Sequence, residues 1–189
     1  SLHNAAYCGI PAFVRYLIRK GVSPDSVDFN NTAPIESAVE RNHAQVITLL
    51  LEHGAKPDMG RQKDLVLYAT KLNHPKSLRA LIDGGVELKT IPLGPHGSME
   101  RFESDILGNY VSYEGSRKLT TPFEFACHDG HVEAAQELMN HHDSSYLCDG
   151  FLHLASRAGK SQVVAVLLEN EEIRLTINRR DLNGNTPLY

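Results

Sequence analysis

Apolar residues along this chain recur in a fixed frame. A short cluster built around alanine is followed by glycine or asparagine, then by a longer apolar block, then by glycine. The frame reads LHNAAYCGIPAFVRYLIRKG from Leu2, IESAVERNHAQVITLLLEHG from Ile35 and VLYATKLNHPKSLRALIDGG from Val66. It returns as FEFACHDGHVEAAQELMN from Phe123 and LHLASRAGKSQVVAVLLEN from Leu152, and a sixth copy opens in DLNGNTPLY and stops at Tyr189. The equivalent apolar position falls at 2, 35, 66, 123, 152 and 188, in steps of 33, 31, 57, 29 and 36. This period and content predict a helix–turn–helix unit. The first helix is short and uses alanine (Ala5, Ala38, Ala69, Ala126, Ala155), which lets a neighbour approach closely. The second, as in Val46, Ile47, Leu49, Leu50 and Leu51, is apolar almost all round and must lie between two others. Gly21, Gly54 and Gly85 supply the positive φ that ends a helix.

These residues resemble the ankyrin repeat family, whose pattern is D-x-x-G-x-T-P-L-H-x-A-A-x-x-G-H-x-x-V-V-x-L-L-L-x-x-G-A. Asp181, Gly184, Thr186, Pro187 and Leu188 match its opening; Leu2, His3, Ala5, Ala6 and Gly9 match its middle. Thr121, Pro122, Ala126, Gly130 and His131 match in the fourth copy, whereas Leu65 and its neighbours replace Thr-Pro in the third. The resemblance implies an all-α solenoid of stacked helix–turn–helix units with β-hairpin fingers. Its expected divisions are a partial first repeat at 1–25, a second at 26–58, a divergent third at 59–89, an insertion in a finger loop at 90–115, a fourth at 116–144, a fifth at 145–180 and the start of a sixth at 181–189. The pattern begins and stops inside a repeat, so further domains of the same polypeptide are expected.

Five of the ten histidines sit on motif positions. His3 and His153 occupy the family's Thr-Pro-Leu-His slot; His43, His74 and His131 occupy its Gly-His slot. The resemblance gives these side chains a structural task, tying turn backbone together. The nearest approach to a metal site is Cys127, His128 and His131. A closed zinc site needs four converging ligands, and His141, His142 and Asp143 belong at the other end of that unit. There is no Gly-x-Ser-x-Gly elbow and no phosphate loop, and GPHG at 94–97 is a turn. An open groove gives Cys8 no pocket to act in. No catalytic residue, no metal and no cofactor are expected.

The 57-residue step exceeds the first step by 24 residues. In the ankyrin layout this connection is a finger beside the concave groove. Within LGPHGSMERFESDILGNYVSYEGSRKL, Ser98 caps a short helix, Met99, Phe102 and Ile106 share its face, Gly108 ends it, and Tyr110 and Tyr113 follow. This face plugs a gap beside the irregular third repeat or contacts a partner, and the third reading of the segment is a flexible linker.

The family binds partners with finger tips and the last residues of each first helix. Carried over by position, these are Phe29, Asn30, Glu40 and Arg41 in the second copy. The third gives Arg61, Lys63, Lys71 and Leu72; the fourth gives Arg117, Lys118, His128 and Asp129; the fifth gives Tyr146, Leu147, Asp149 and Arg157. Over the last three copies these carry six basic and two acidic residues, on a chain whose net charge is −4. Opposite signs point to a directed field and an acidic partner segment. The overall charge gives no footprint of a general nucleic-acid binder, and no run of eighteen apolar residues exists to span a membrane. Three cysteines, Cys8, Cys127 and Cys148, make no disulfide framework and favour a reducing, intracellular compartment: cytoplasm or nucleus, or host cytosol for a secreted effector. The expected function is a protein–protein interaction module that holds a partner segment in its groove and finger insertion. Two alternatives are a regulatory or targeting domain of a larger enzyme, such as a microbial effector, and a binder of anionic lipid or nucleic acid. The second lacks aromatics interleaved with basic residues for base stacking.

Overall fold

The computed structural model describes residues 1–57, 60, 64–87, 121–141, 150–180 and 184–188. They fall in two compact units, Ser1–Lys89 and Thr90–Tyr189. The first unit holds α1 (Leu2–Tyr7), α2 (Pro11–Arg19), α3 (Pro34–Glu40), α4 (Ala44–Glu52), α5 (Leu65–Lys71) and α6 (Pro75–Asp83). The second holds α7 (Pro122–Asp129), α8 (Val132–His141), α9 (Gly150–Arg157), α10 (Ser161–Glu169) and α11 (Glu171–Leu175). The fold is all-α. No β-strand occurs among the described residues, so the parts of the fingers described here are turns rather than hairpins.

In the first unit the helices pair as α1/α2, α3/α4 and α5/α6. The short first helices pack on one another in order, α1 on α3 and α3 on α5, and the second helices do the same, α2 on α4 and α4 on α6. The second unit repeats this, with α7 against α9 and α8 against α10. Two helical layers result within each unit. The apolar all-round helix α4 lies between α2 and α6, as its composition requires. The five motif alanines, one per first helix, are buried in every case, so within each unit their small side chains let neighbouring first helices pack closely.

The turn inside each pair has one chemistry. The residue after the first helix takes a left-handed backbone: Gly9 at φ 65°, Asn42 at 57°, Asn73 at 51°, Gly130 at 85° and Gly159 at 67°. The next residue then donates its N–H back to the motif alanine, from Ile10 to Ala5, His43 to Ala38, His74 to Ala69, His131 to Ala126 and Lys160 to Ala155, at 2.9–3.0 Å. These are Schellman closures, which glycine and asparagine alone make at little steric cost. The second helices of the first unit close in the same way at Gly21, Gly54 and Gly85, where Val22 donates to Leu17, Ala55 to Leu50 and Val86 to Leu81.

Helix starts are varied. Asp64 caps α5 by accepting from the Leu67 amide at 2.9 Å, which supplies the start that the missing Thr-Pro leaves open. Thr121 and Glu124 form a reciprocal capping box at the head of α7. Helix α11 is not predicted by the repeat frame. Asn170 ends α10 without a left-handed turn and caps α11 by accepting from the amides of Glu172 and Ile173, while Ile173 is buried.

Gly9 has a second constraint. A Cβ there would lie 2.5 Å from the His43 ring of the next repeat, whereas a Cβ on Gly54, at φ 83°, would meet nothing within 4 Å. Gly54→Ala is therefore expected to cost about 1 kcal/mol from left-handed strain alone. Gly9→Ala should cost about 3 kcal/mol, the same strain plus the displaced ring and its lost hydrogen bond. Chemical denaturation followed by circular dichroism checks this; equal losses would mean that the ring contact contributes nothing.

Candidate interaction surface

Successive repeats are tied by side chains that reach across from one pair to the next. The His43 Nε2–H donates to the Tyr7 carbonyl at 3.0 Å, and the His74 Nδ1–H donates to the Val39 carbonyl at 2.9 Å. Each joins the turn of one repeat to the end of the preceding first helix. The His3 Nε2–H donates forward to the Thr32 carbonyl at 2.9 Å, and His153 does the same to the Asn185 carbonyl at 3.3 Å. A carbonyl oxygen only accepts, so each of these ring nitrogens carries its proton. The Asn42 side-chain oxygen accepts from both the amide and the hydroxyl of Ser77 at 3.0 Å. His3, His43, His74 and His153 thus bind backbone of the neighbouring repeat, a wider task than closing their own turns.

This ladder lines up the C-terminal ends of α1, α3 and α5. Tyr7 and Cys8 stand at the first end, Glu40 and Arg41 at the second, Lys71 and Leu72 at the third, and all six are exposed. The Arg41 guanidinium lies over the Tyr7 ring, 4.1 Å from its centroid. This cation–π contact holds a long, flexible side chain in one place. Tyr7 is absent from the residues carried over by motif, although it sits one repeat before Glu40. Its aromatic character at that position was the available signal.

The finger between α2 and α3 presents Phe29 with 96% of its surface exposed. The turn beneath it is built by Asp28. Its carboxylate accepts from the amides of Asn30 and Thr32, both at 2.9 Å, and its amide donates to the Thr32 carbonyl at 3.1 Å. Asn31 adopts φ 57° to close the loop. The amide of Thr32, above all, holds the Asp28 carboxyl below the usual aspartate range, with lesser help from Asn30 and His3 against partial desolvation. Asn30 is exposed beside Phe29.

In the second unit, the predicted positions His128 and Asp129 pair with each other, the His128 Nδ1–H donating to the Asp129 carboxylate at 2.7 Å. Arg157 is exposed at the end of α9. His131 lies beyond the end of α7, and His141 stands 3.5 Å from Glu137 on its own helix. Cys127 is buried and Cys8 exposed. Among the described residues no three such side chains gather as a metal site. Arg61, Lys63, Arg117, Lys118, Tyr146, Leu147 and Asp149, and the insertion residues Met99, Phe102, Ile106, Tyr110 and Tyr113, lie outside the described residues. Among the described residues no helix is long and apolar enough to cross a membrane.

Residues 2–91 match the family described as ankyrin repeats, in three copies. A curated relative is the phosphate system positive regulatory protein PHO81 of Saccharomyces cerevisiae, 43% identical over 61 residues. The match covers 31% of this chain and 5% of the yeast protein.

The Asp28 turn makes a pH prediction. A carboxyl whose folded pKa is depressed adds stability that is complete above its unfolded pKa and is lost as pH falls through the lower folded value. In an NMR titration, the Asn30 and Thr32 amide shifts should therefore stay constant from neutral pH through the ordinary aspartate range and move only below it. Asp28→Ala should shift both amides already at neutral pH.

Proposed function

We propose that this chain, whose residues 2–91 are ankyrin repeats, holds an extended partner segment across the row formed by Tyr7, Arg41, Lys71 and Leu72, with Phe29 as its apolar anchor. Ankyrin repeats are protein–protein interaction modules, and stacked pairs offer a shared open surface rather than a private cavity. The observation that carries the reading is Phe29. A phenylalanine left almost wholly in water, on a turn fixed by four hydrogen bonds of Asp28, gains most by burial against something else. Aromatic residues presented on a rigid base dominate interface energies because little order is lost on binding.

The partner segment is acidic. Arg41 and Lys71 end or follow α3 and α5, and Arg157 ends α9 in the second unit. Glu40 and the paired Asp129 temper this field without reversing it. Cations at such positions steer acidic chains and lose that influence as salt rises. The insertion at 90–115 is proposed as a further partner-contacting element.

A second reading, as the regulatory segment of a longer polypeptide, draws on the yeast relative. That protein is named a positive regulatory protein, and the matched stretch is a twentieth part of it. Here the repeats would supply the contact through which a separate activity is controlled.

The test is capture on immobilised chain, followed by titration of the purified captured protein. Phe29→Ala should weaken binding about thirtyfold, the effect of losing one anchor of about 2 kcal/mol. Arg41→Glu with Lys71→Glu should flatten the salt dependence while the melting temperature stays unchanged. A captured protein whose affinity ignores all three substitutions would exclude this surface.

A further inference from the structure

We infer that the partner segment lies along the first unit as a polyproline II strand and presents acid, base and acid at every third residue. The inference rests on the row proposed above as the partner site and fixes what that row selects. It begins with register. Tyr7, Glu40 and Lys71 hold the same place in their repeats, five residues after the apolar positions at 2, 35 and 66. They are the last residues of α1, α3 and α5, which pack on one another in that order, and all three are exposed. Arg41 stands one place further on. Its guanidinium reaches back one repeat and lies over the Tyr7 ring, 4.1 Å from the centroid.

The charges along the row therefore run positive, negative, positive. The Arg41 guanidinium marks the first place, the Glu40 carboxylate the second and the Lys71 ammonium the third. Arg41 and Glu40 are neighbours in the chain and do not pair. Among the described residues no cation lies within ion-pair distance of Glu40. The ring contact takes Arg41 away from the carboxylate beside it, so Tyr7 is a positioning residue for the first place.

The spacing selects the conformation of the segment. Packed helices stand about 8–10 Å apart. A polyproline II strand advances about 3.1 Å per residue and returns to the same side every third residue, so its side chains recur at about 9 Å. A β-strand returns to one side at about 6.6 Å and runs out of step with the row. An α-helix keeps step only with every seventh residue, at about 10.5 Å, and drifts about 20° round its axis each time. Acid, base and acid three residues apart meet cation, carboxylate and cation in step, and the order is the same in either chain direction.

The test uses the 189-residue chain and heptapeptides labelled with fluorescein and blocked at both ends. One is Glu-Pro-Leu-Lys-Pro-Leu-Glu. The second, Lys-Pro-Leu-Glu-Pro-Leu-Glu, has the same composition and net charge in another order. By anisotropy at low salt the first should bind about tenfold more tightly, the effect of two charge pairs made rather than opposed. Glu40→Lys should remove this preference, because each peptide then makes two pairs and opposes one. Tyr7→Ala should cut it to about threefold, and Tyr7→Phe, which keeps a ring beneath Arg41, should preserve it. If Tyr7→Ala fails to fold by circular dichroism, Glu40→Lys, made at an exposed position, decides alone. Equal affinity for the two peptides overturns the inference, as does failure of the first to saturate. So does a peptide with the same three charges two residues apart, or a helical one with them seven apart, that binds as tightly as the first. Arg41→Glu with Lys71→Glu separates the two proposals. Equal binding of both peptides that this double variant weakens leaves the row as partner site and removes only the order and period; binding of both that ignores it removes the row as well.

Discussion

The arrangement depends on one backbone conformation, repeated. After each first helix a residue enters the left-handed region and lets the following amide return to the carbonyl of the motif alanine. That closure fixes where the second helix starts and at what angle. It also explains two sequence rules together: the residue must be glycine or asparagine, and the residue that accepts must be alanine. The alanine carbonyl takes the returning amide, and the alanine itself is buried in each of the five first helices. A larger side chain would move the neighbour away and break the cross-repeat bonds of His43 and His74.

Much of this was legible in the sequence, and the reasons differ by element. The helix pairs were readable because Ala5, Ala38, Ala69, Ala126 and Ala155 recur in register with Gly or Asn four residues on, a purely local requirement. The direction of the histidine bonds was not. His43 and His3 both lie in motif slots, but one reaches back and the other forward, and only the stacking of neighbours decides that. Helix α11 escaped the repeat frame because it answers to a different signal, Asn170 followed by two glutamates, which is a capping signal independent of period. The fingers were expected as hairpins from the family likeness. The one between α2 and α3 is a turn organised by a single aspartate, a feature that Asp28 four residues before Thr32 does suggest once the loop is known to be tight.

The candidate site was legible by position more than by chemistry. Motif register named Phe29 and Arg41, and the structure shows the surroundings of each: Phe29 stands in water, and the Arg41 guanidinium lies over the Tyr7 ring. Register also named His128 and Asp129, but these satisfy each other. A shared geometric slot is therefore not a shared role. A carboxylate that accepts from its neighbour's imidazole has less capacity left for a partner.

The contact between Gly9 and the imidazole of His43 ties the identity of one unit to that of its successor. Asparagine serves at the corresponding place in the next two copies, so glycine at the first is chosen by what stands beside it. Copies of this array are consequently not interchangeable cassettes. Gene duplication or recombination that moved the second copy into first place would set an asparagine side chain against a ring already seated there, and such a permuted array would need a compensating change one period downstream before it could evolve further.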